Sequence, residues 1–259
     1  MSEHPIAARW RALGGRKRAL IPYVTAGFPT PAASRDVLRA AQAAGADFVE
    51  VGVPFSDPLA DGPTIQRTTQ AALEQGMTAA GVLTLIREAA LAVPVIIMTY
   101  LNPILAYGVE RFVADAHAAG AAGMVLTDLP AGADPAVESV VTRSPLALIR
   151  LVAPTTDDAR LTTALTGATG FVYLISRLGV TGARDQIPAD LEAHVRRVRA
   201  ATSLPVAVGF GIGTPAQAAA AARYADGVVV GSALMDAVAR GGAAAAEQLV
   251  RELAAAVHA

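Results

Sequence analysis

The amino-acid sequence predicts an α/β protein, a closed (β/α)8 barrel, and three observations point there. Short runs rich in β-formers alternate with longer alanine-rich segments along all 259 residues. Several of the short runs are unbroken Val/Ile/Leu stretches without polar alternation, the pattern of parallel strands buried on both faces. A weak repeat, in which an alanine-rich helix end passes through glycine or aspartate into a strand, recurs at Ala43–Glu50, Ala118–Val125 and Tyr224–Val229. No linker or shift of composition divides the chain. Residues 1–259 are therefore expected to form one domain, with 1–19 as an N-terminal helical segment.

Eight strands are expected: Leu20–Thr25, Phe48–Val51, Val95–Tyr100, Met124–Thr127, Leu146–Val152, Phe171–Leu174, Val206–Val208 and Val228–Val230. Helix starts are marked at Thr30-Pro31 and Thr214-Pro215, where a capping hydroxyl precedes a proline preset for the first turn. Gly45 and Gly120 stand where helices should end. An open doubly wound sheet is the alternative. It normally carries a glycine-rich phosphate turn after its first strand, and here that strand runs into Ala26-Gly27-Phe28-Pro29.

Composition narrows the chemistry. A net charge of −1 offers no general attraction for nucleic acid or an anionic membrane. The absence of cysteine removes disulfides, thiolate metal sites and thiol nucleophiles. The first twenty residues hold no apolar run of signal-peptide length, and Val93–Val109 is too broken to span a bilayer, so a cytoplasmic location is expected. His4, His117, His194 and His258 fall in the N-terminal tail, two predicted helices and the C-terminus; none pairs as a metal ligand, and each is expected to be a solvated surface residue. Lys17, the sole lysine, precedes the first strand, which argues against Schiff-base chemistry. Carboxylates are left to act as acid and base.

In a barrel the active site lies at the carboxyl ends of the strands, and the densest acidic segment there is Phe48–Pro63. Glu50 interrupts the apolar second strand; with Val49 and Val51 facing the helices it should point inward, where burial raises its pKa toward that of a proton shuttle. Asp57 and Asp61 follow in the loop, and position alone does not choose which of them meets Glu50. Three late glycine clusters, Gly179–Gly182, Gly209–Gly211 and Gly231-Ser232, follow the sixth, seventh and eighth strands. Loops of this kind cradle phosphate on backbone N–H groups and a helix N-terminus.

These segments together resemble the family of tryptophan synthase α subunits. The likeness runs from about Leu20 to Met235 and is carried by Ile21–Gly27, Glu50–Pro63, Tyr173–Arg177 with Gly179–Gly182, Gly209–Ile212, and Gly231-Ser232. It implies a TIM barrel that cleaves indole-3-glycerol phosphate to indole and glyceraldehyde 3-phosphate with no cofactor of its own. It places the catalytic carboxylates on Glu50, which would protonate indole C3 and take the glycerol hydroxyl proton, and on Asp61, which would hold the indole N–H. It implies further that Tyr173 sits near Glu50 and that Thr181 contacts Asp61 when a lid over Ser176–Pro188 closes. Tyr23 and Tyr100 would wall the indole, and Gly182, Gly211, Gly231 and Ser232 would receive the phosphate. Asp57 and Arg177 match positions used in communication with a partner, a pyridoxal-phosphate-dependent β subunit in an α2β2 complex. The competing reading is another phosphate-binding barrel of the same layout, an isomerase or the synthase that forms indole-3-glycerol phosphate; the synthase would be expected to use a strand-end lysine, and there is none. A non-catalytic activator of a β partner is the other alternative.

Overall fold

A computed structural model describes residues 3–15, 18–175, 187–209 and 211–259. Its eight strands are β1 (Ala19–Thr25), β2 (Val49–Gly52), β3 (Val95–Thr99), β4 (Ala121–Leu126), β5 (Ala147–Val152), β6 (Val172–Ile175), β7 (Val206–Gly209) and β8 (Gly227–Val230). They pair in parallel in sequence order and close through β8 onto β1. Each expected strand is present, with boundaries moved by one to three residues. The largest shift is at β4, which begins at Ala121 rather than Met124. Its first residues are small because a β-carbon at Gly123 would fall 2.9 Å from Ile6 and 3.2 Å from Ile149. Local hydrophobicity therefore understates the strand there.

Among the described residues there are eleven helices, not eight. Ahead of β1 stands α1 (Pro5–Leu13), and α2 (Pro31–Ala43) joins β1 to β2. Two helices, α3 (Pro63–Glu74) and α4 (Ala79–Ala89), lie between β2 and β3, and two more, α5 (Leu101–Tyr107) and α6 (Val109–Ala118), between β3 and β4. Then come α7 (Pro135–Thr142), α8 (Asp158–Ala164), α9 (Leu191–Ala201), α10 (Pro215–Ala222) and α11 (Ser232–His258). The doubled crossovers are divided at Gly76 and Gly108, whose φ values of +78° and +94° end a helix at little cost only for glycine. Thr30 and Thr214 cap α2 and α10 as expected, the latter through a reciprocal box with Gln217. No described helix is long and apolar enough to cross a membrane.

The N-terminal end of the barrel is shut by α1. Ile6 is fully buried, and Trp10 packs on Phe48 and Phe171 with ring centroids 5.0 and 5.8 Å away. In two of the three repeat segments, and again at Thr169, the polar residue before the strand has a physical purpose. Asp47, Thr169 and Asp226 each stand before a strand and accept the N–H of Leu20, Leu148 and Val206 respectively, all at 2.8 Å. Each thus satisfies a backbone donor at the start of the preceding strand. The expectation of solvated histidines is corrected at three positions, all half-buried. His4 accepts the Ile6 N–H at the head of α1 and lies 3.1 Å from Pro145 O, and His258 hydrogen-bonds Asp47 at 2.8 Å, so both fasten chain ends to the barrel; His194 pairs with Asp190 at 3.0 Å on α9.

Candidate active site

β2 aligns Glu50 with Tyr23 of β1 and Ile96 of β3. Glu50 is only 2% exposed, and its Oε2 has no hydrogen-bond partner among the described residues. Its charge is felt by Tyr173 on β6, which stands across the barrel from β2. A side chain turned toward the helices would not reach that far, so Glu50 projects into the barrel as the alternation along β2 requires. Burial, reinforced by the charge of Asp61, raises the Glu50 carboxyl to about 8.

Asp61 comes to the same space from the loop between β2 and α3. It accepts a hydrogen bond from the Tyr100 hydroxyl at 3.1 Å. Burial raises its carboxyl to about 6, and the Tyr100 hydrogen bond acts in the opposite direction. Asp57 points the other way: it is exposed and accepts a hydrogen bond from Ser56 at 2.6 Å. Position along the chain leaves the two aspartates open; the charge that acts on Glu50 is that of Asp61, the one the family resemblance implies. Beside Asp57, Leu59 is 94% exposed.

Tyr23 and Tyr173 complete the interior, both buried and both with phenols raised well above the ordinary value by burial and by the neighbouring carboxylates. Their rings lie over glycines. A β-carbon at Gly52 would sit 2.0 Å from the Tyr23 oxygen, and one at Gly209 would sit 2.4 Å from the Tyr173 oxygen. Gly209, singled out by sequence as a phosphate glycine, thus serves Tyr173. Both glycines end their strands, and their clearance for a tyrosine on the adjacent strand depends on register, which is invisible in sequence.

A cleft of about 810 Å³ opens beside Asp61 and is lined by Met98, Leu126, Thr127, Leu151 and Ile175 among others. Its apolar part, with the Asp61 carboxylate at the edge, suits a flat ring carrying one N–H donor, while Arg150, Arg160, Thr155 and Thr156 make the rest of the lining polar. On the opposite side, α11 begins at Ser232 after Gly231, and no side chain caps its first turn, which leaves N–H groups free for an anion. Gly211 holds φ +83°, a conformation that favours glycine. Tyr100 is buried at the N-terminus of α5, but its oxygen is occupied by Asp61 and by the Ala60 N–H. Thr181, Gly182 and Arg177, together with the expected lid as far as residue 186, lie outside the described residues. Among the described residues no three His, Asp or Glu side chains are grouped to hold a metal ion.

A profile of the family described as "Tryptophan synthase alpha chain" matches residues 11–259. Chains of that name from Acidiphilium cryptum and Caulobacter vibrioides are 50% and 49% identical over 240 and 241 residues, in each case 91% of this chain and 87% of the relative. Among solved structures, tryptophan synthase of Mycobacterium tuberculosis superposes with a TM-score of 0.92 at 38% identity over the whole of both chains. The α subunit from Legionella pneumophila gives 0.90 at 35% identity, over 99% of each. With a closed parallel barrel, a buried carboxyl on β2, a half-buried one on the loop that follows it and this extent of likeness, the chain belongs to the tryptophan synthase alpha chain family.

Proposed function

We propose that Glu50 and Asp61 divide the work of a retro-aldol cleavage in which indole-3-glycerol phosphate gives indole and glyceraldehyde 3-phosphate. The observation that carries this is the difference between two neighbouring carboxyls, Glu50 near 8 and Asp61 near 6, the charge of the second helping to raise the first. At neutral pH Glu50 holds a proton and Asp61 holds a charge. Glu50 donates its proton to indole C3 while the Asp61 carboxylate accepts the N–H hydrogen bond and stabilises the iminium that forms. The Glu50 carboxylate then removes the proton of the side-chain hydroxyl adjacent to the ring. The O–H pair becomes the aldehyde C=O, the carbon–carbon bond pair returns to the ring, and Glu50 is left protonated as it began. An iminium nitrogen of the substrate itself takes the electrons, so the step calls for no lysine imine.

Tyr173 and Tyr23 hem in Glu50 and keep water from it, and the open first turn of α11 with Gly211 receives the phosphate together with Gly182. The chain acts without a cofactor of its own. Indole passes to a β subunit that carries the pyridoxal phosphate, and the α2β2 docking surface lies on the mouth of the barrel. Exposed Leu59, flanked by Asp57, and Leu105 on α5 both follow strand ends on that face and support this placement. The test is turnover of indole-3-glycerol phosphate with and without added β subunit by the wild type, Glu50→Gln and Asp61→Asn. Loss of at least 10³-fold in kcat for Glu50→Gln is expected. Turnover near the wild-type rate would overturn the assignment.

A further inference from the structure

We infer that Tyr100 is a positioning residue for Asp61: one phenol oxygen, mounted on the rigid end of β3, aims the carboxylate and pins the loop that carries it. The inference rests on the role given to Asp61 above.

The loop itself has little hold on its shape. Ser56, Asp57, Leu59 and Ala60 are exposed, and the hydrogen bonds within it run from Leu59 N–H to Asp57 O, from Asp61 N–H to Pro58 O and from the Ser56 hydroxyl to the Asp57 carboxylate. Gln66 of α3 donates to the Asp61 carbonyl at 2.8 Å and holds the backbone where the loop enters the helix, but it does not touch the carboxylate. Tyr100, at the end of β3, is the side chain that does. The Tyr100 oxygen accepts the Ala60 N–H at 2.9 Å and donates its single hydrogen to Asp61 Oδ2 at 3.1 Å. One atom thus ties two consecutive loop residues, and its ring packs on Phe55 at the other end of the loop, centroids 5.3 Å apart. Tyr100 is firmly seated: the Thr127 N–H bonds to Thr99 O at 3.0 Å, and the Leu101 N–H bonds to Asp128 Oδ1 at 2.7 Å, so both neighbours are anchored.

Two consequences follow for the carboxylate. Oδ2 is occupied by the phenol, which leaves Oδ1 for the substrate N–H and fixes the direction of approach. The phenol also donates only to the ionised form with full effect, so it favours the charged state on which the role of Asp61 depends. An apolar ring at position 100 would keep the packing on Phe55 and forfeit both effects.

The experiment compares Tyr100→Phe, Tyr100→3-fluorotyrosine and Asp61→Asn with the wild type, reading kcat and KM separately across pH and following the Asp61 carboxyl by 13C NMR. Tyr100→Phe keeps the ring and its packing on Phe55. It is expected to lose about 10–100-fold in kcat with KM changed less than about threefold, and to shift the Asp61 titration to higher pH. The fluorinated phenol, a stronger donor, is expected to shift that titration the other way. If Asp61→Asn is inactive while Tyr100→Phe keeps both the wild-type kcat and the wild-type Asp61 titration, the inference is overturned and the role of Asp61 stands. If Asp61→Asn turns over normally, the role of Asp61 fails and the inference with it. The NMR arm reads the carboxyl directly and does not depend on activity.

Discussion

The phenol of Tyr23 fills the space that a side chain at position 52 would need. Tyr173 repeats the relationship with Gly209, and in both pairs the tyrosine of one strand leans over a glycine two residues beyond its own register partner on the next. An added β-carbon at Gly52 would fall within 2.5 Å of the ring carbon Cζ as well as against the hydroxyl, so removing the hydroxyl alone does not relieve it. We expect Gly52→Ala to fold but to lose at least about 10²-fold in kcat/KM as the ring swings toward Glu50. Tyr23→Phe in the same background should not restore turnover. Steady-state kinetics with thermal unfolding as the folding control checks both.

The separation of the two carboxyls also predicts a bell-shaped pH dependence of kcat/KM. Asp61 must be ionised, so activity rises through about 6; Glu50 must be protonated, so activity falls through about 8. Because each charge acts on the other, the limbs belong to the pair. Asp61→Asn should remove the rising limb from whatever residual activity persists. It should also move the falling limb to lower pH, since the Asp61 charge is one cause of the raised Glu50 value.

Glu50 carries a stability cost with a definite sign. Its folded pKa lies above the unfolded one, so between the ordinary glutamate value and about 8 the folded state binds more protons, and stability falls as pH rises through that window. Glu50→Gln, which cannot ionise, should therefore be more stable than the wild type above pH 8, by on the order of 2 kcal/mol. The advantage should vanish below the unfolded pKa. Equilibrium denaturation at about pH 3.5 and pH 9 decides it, and a variant less stable than wild type at pH 9 contradicts the buried, inward carboxyl.

Away from the chemistry, the wall of the cleft rests on one buried ion pair. Arg150 on β5 is 4% exposed, pairs with Glu138 of α7, and donates to Leu129 O and Thr166 O. Glu138 also accepts the Gly132 N–H at 2.7 Å, which ties down the loop after β4. Arg150→Met leaves that carboxylate buried and unpaired and should cost about 3–5 kcal/mol, most of it recovered by Glu138→Leu in the same chain. Denaturant titration of the two single variants and the double variant measures the coupling.

Much of this was legible in the linear chain. Strand positions follow from the Val/Ile/Leu runs, helix starts from Thr-Pro pairs, and the inward aim of Glu50 from simple alternation with Val49 and Val51. These properties are local, set by side-chain period and backbone preference within a few residues. The early start of β4 and the doubled helices after β2 and β3 were not visible. In the first case long-range filling by Ile6 replaces local hydrophobicity; in the second, single glycines divide segments that read as continuous.

The amino-acid order alone settled the barrel, its working end and the pair of acids at issue, because each depends on neighbours close in the chain. Closure of the barrel decided the rest: the seating of the Asp61 carboxylate on a tyrosine hydroxyl 39 residues away in the chain, and glycines that clear space for rings on adjacent strands. Those contacts join residues far apart in sequence, and their distances exist only once eight strands have fixed a common register.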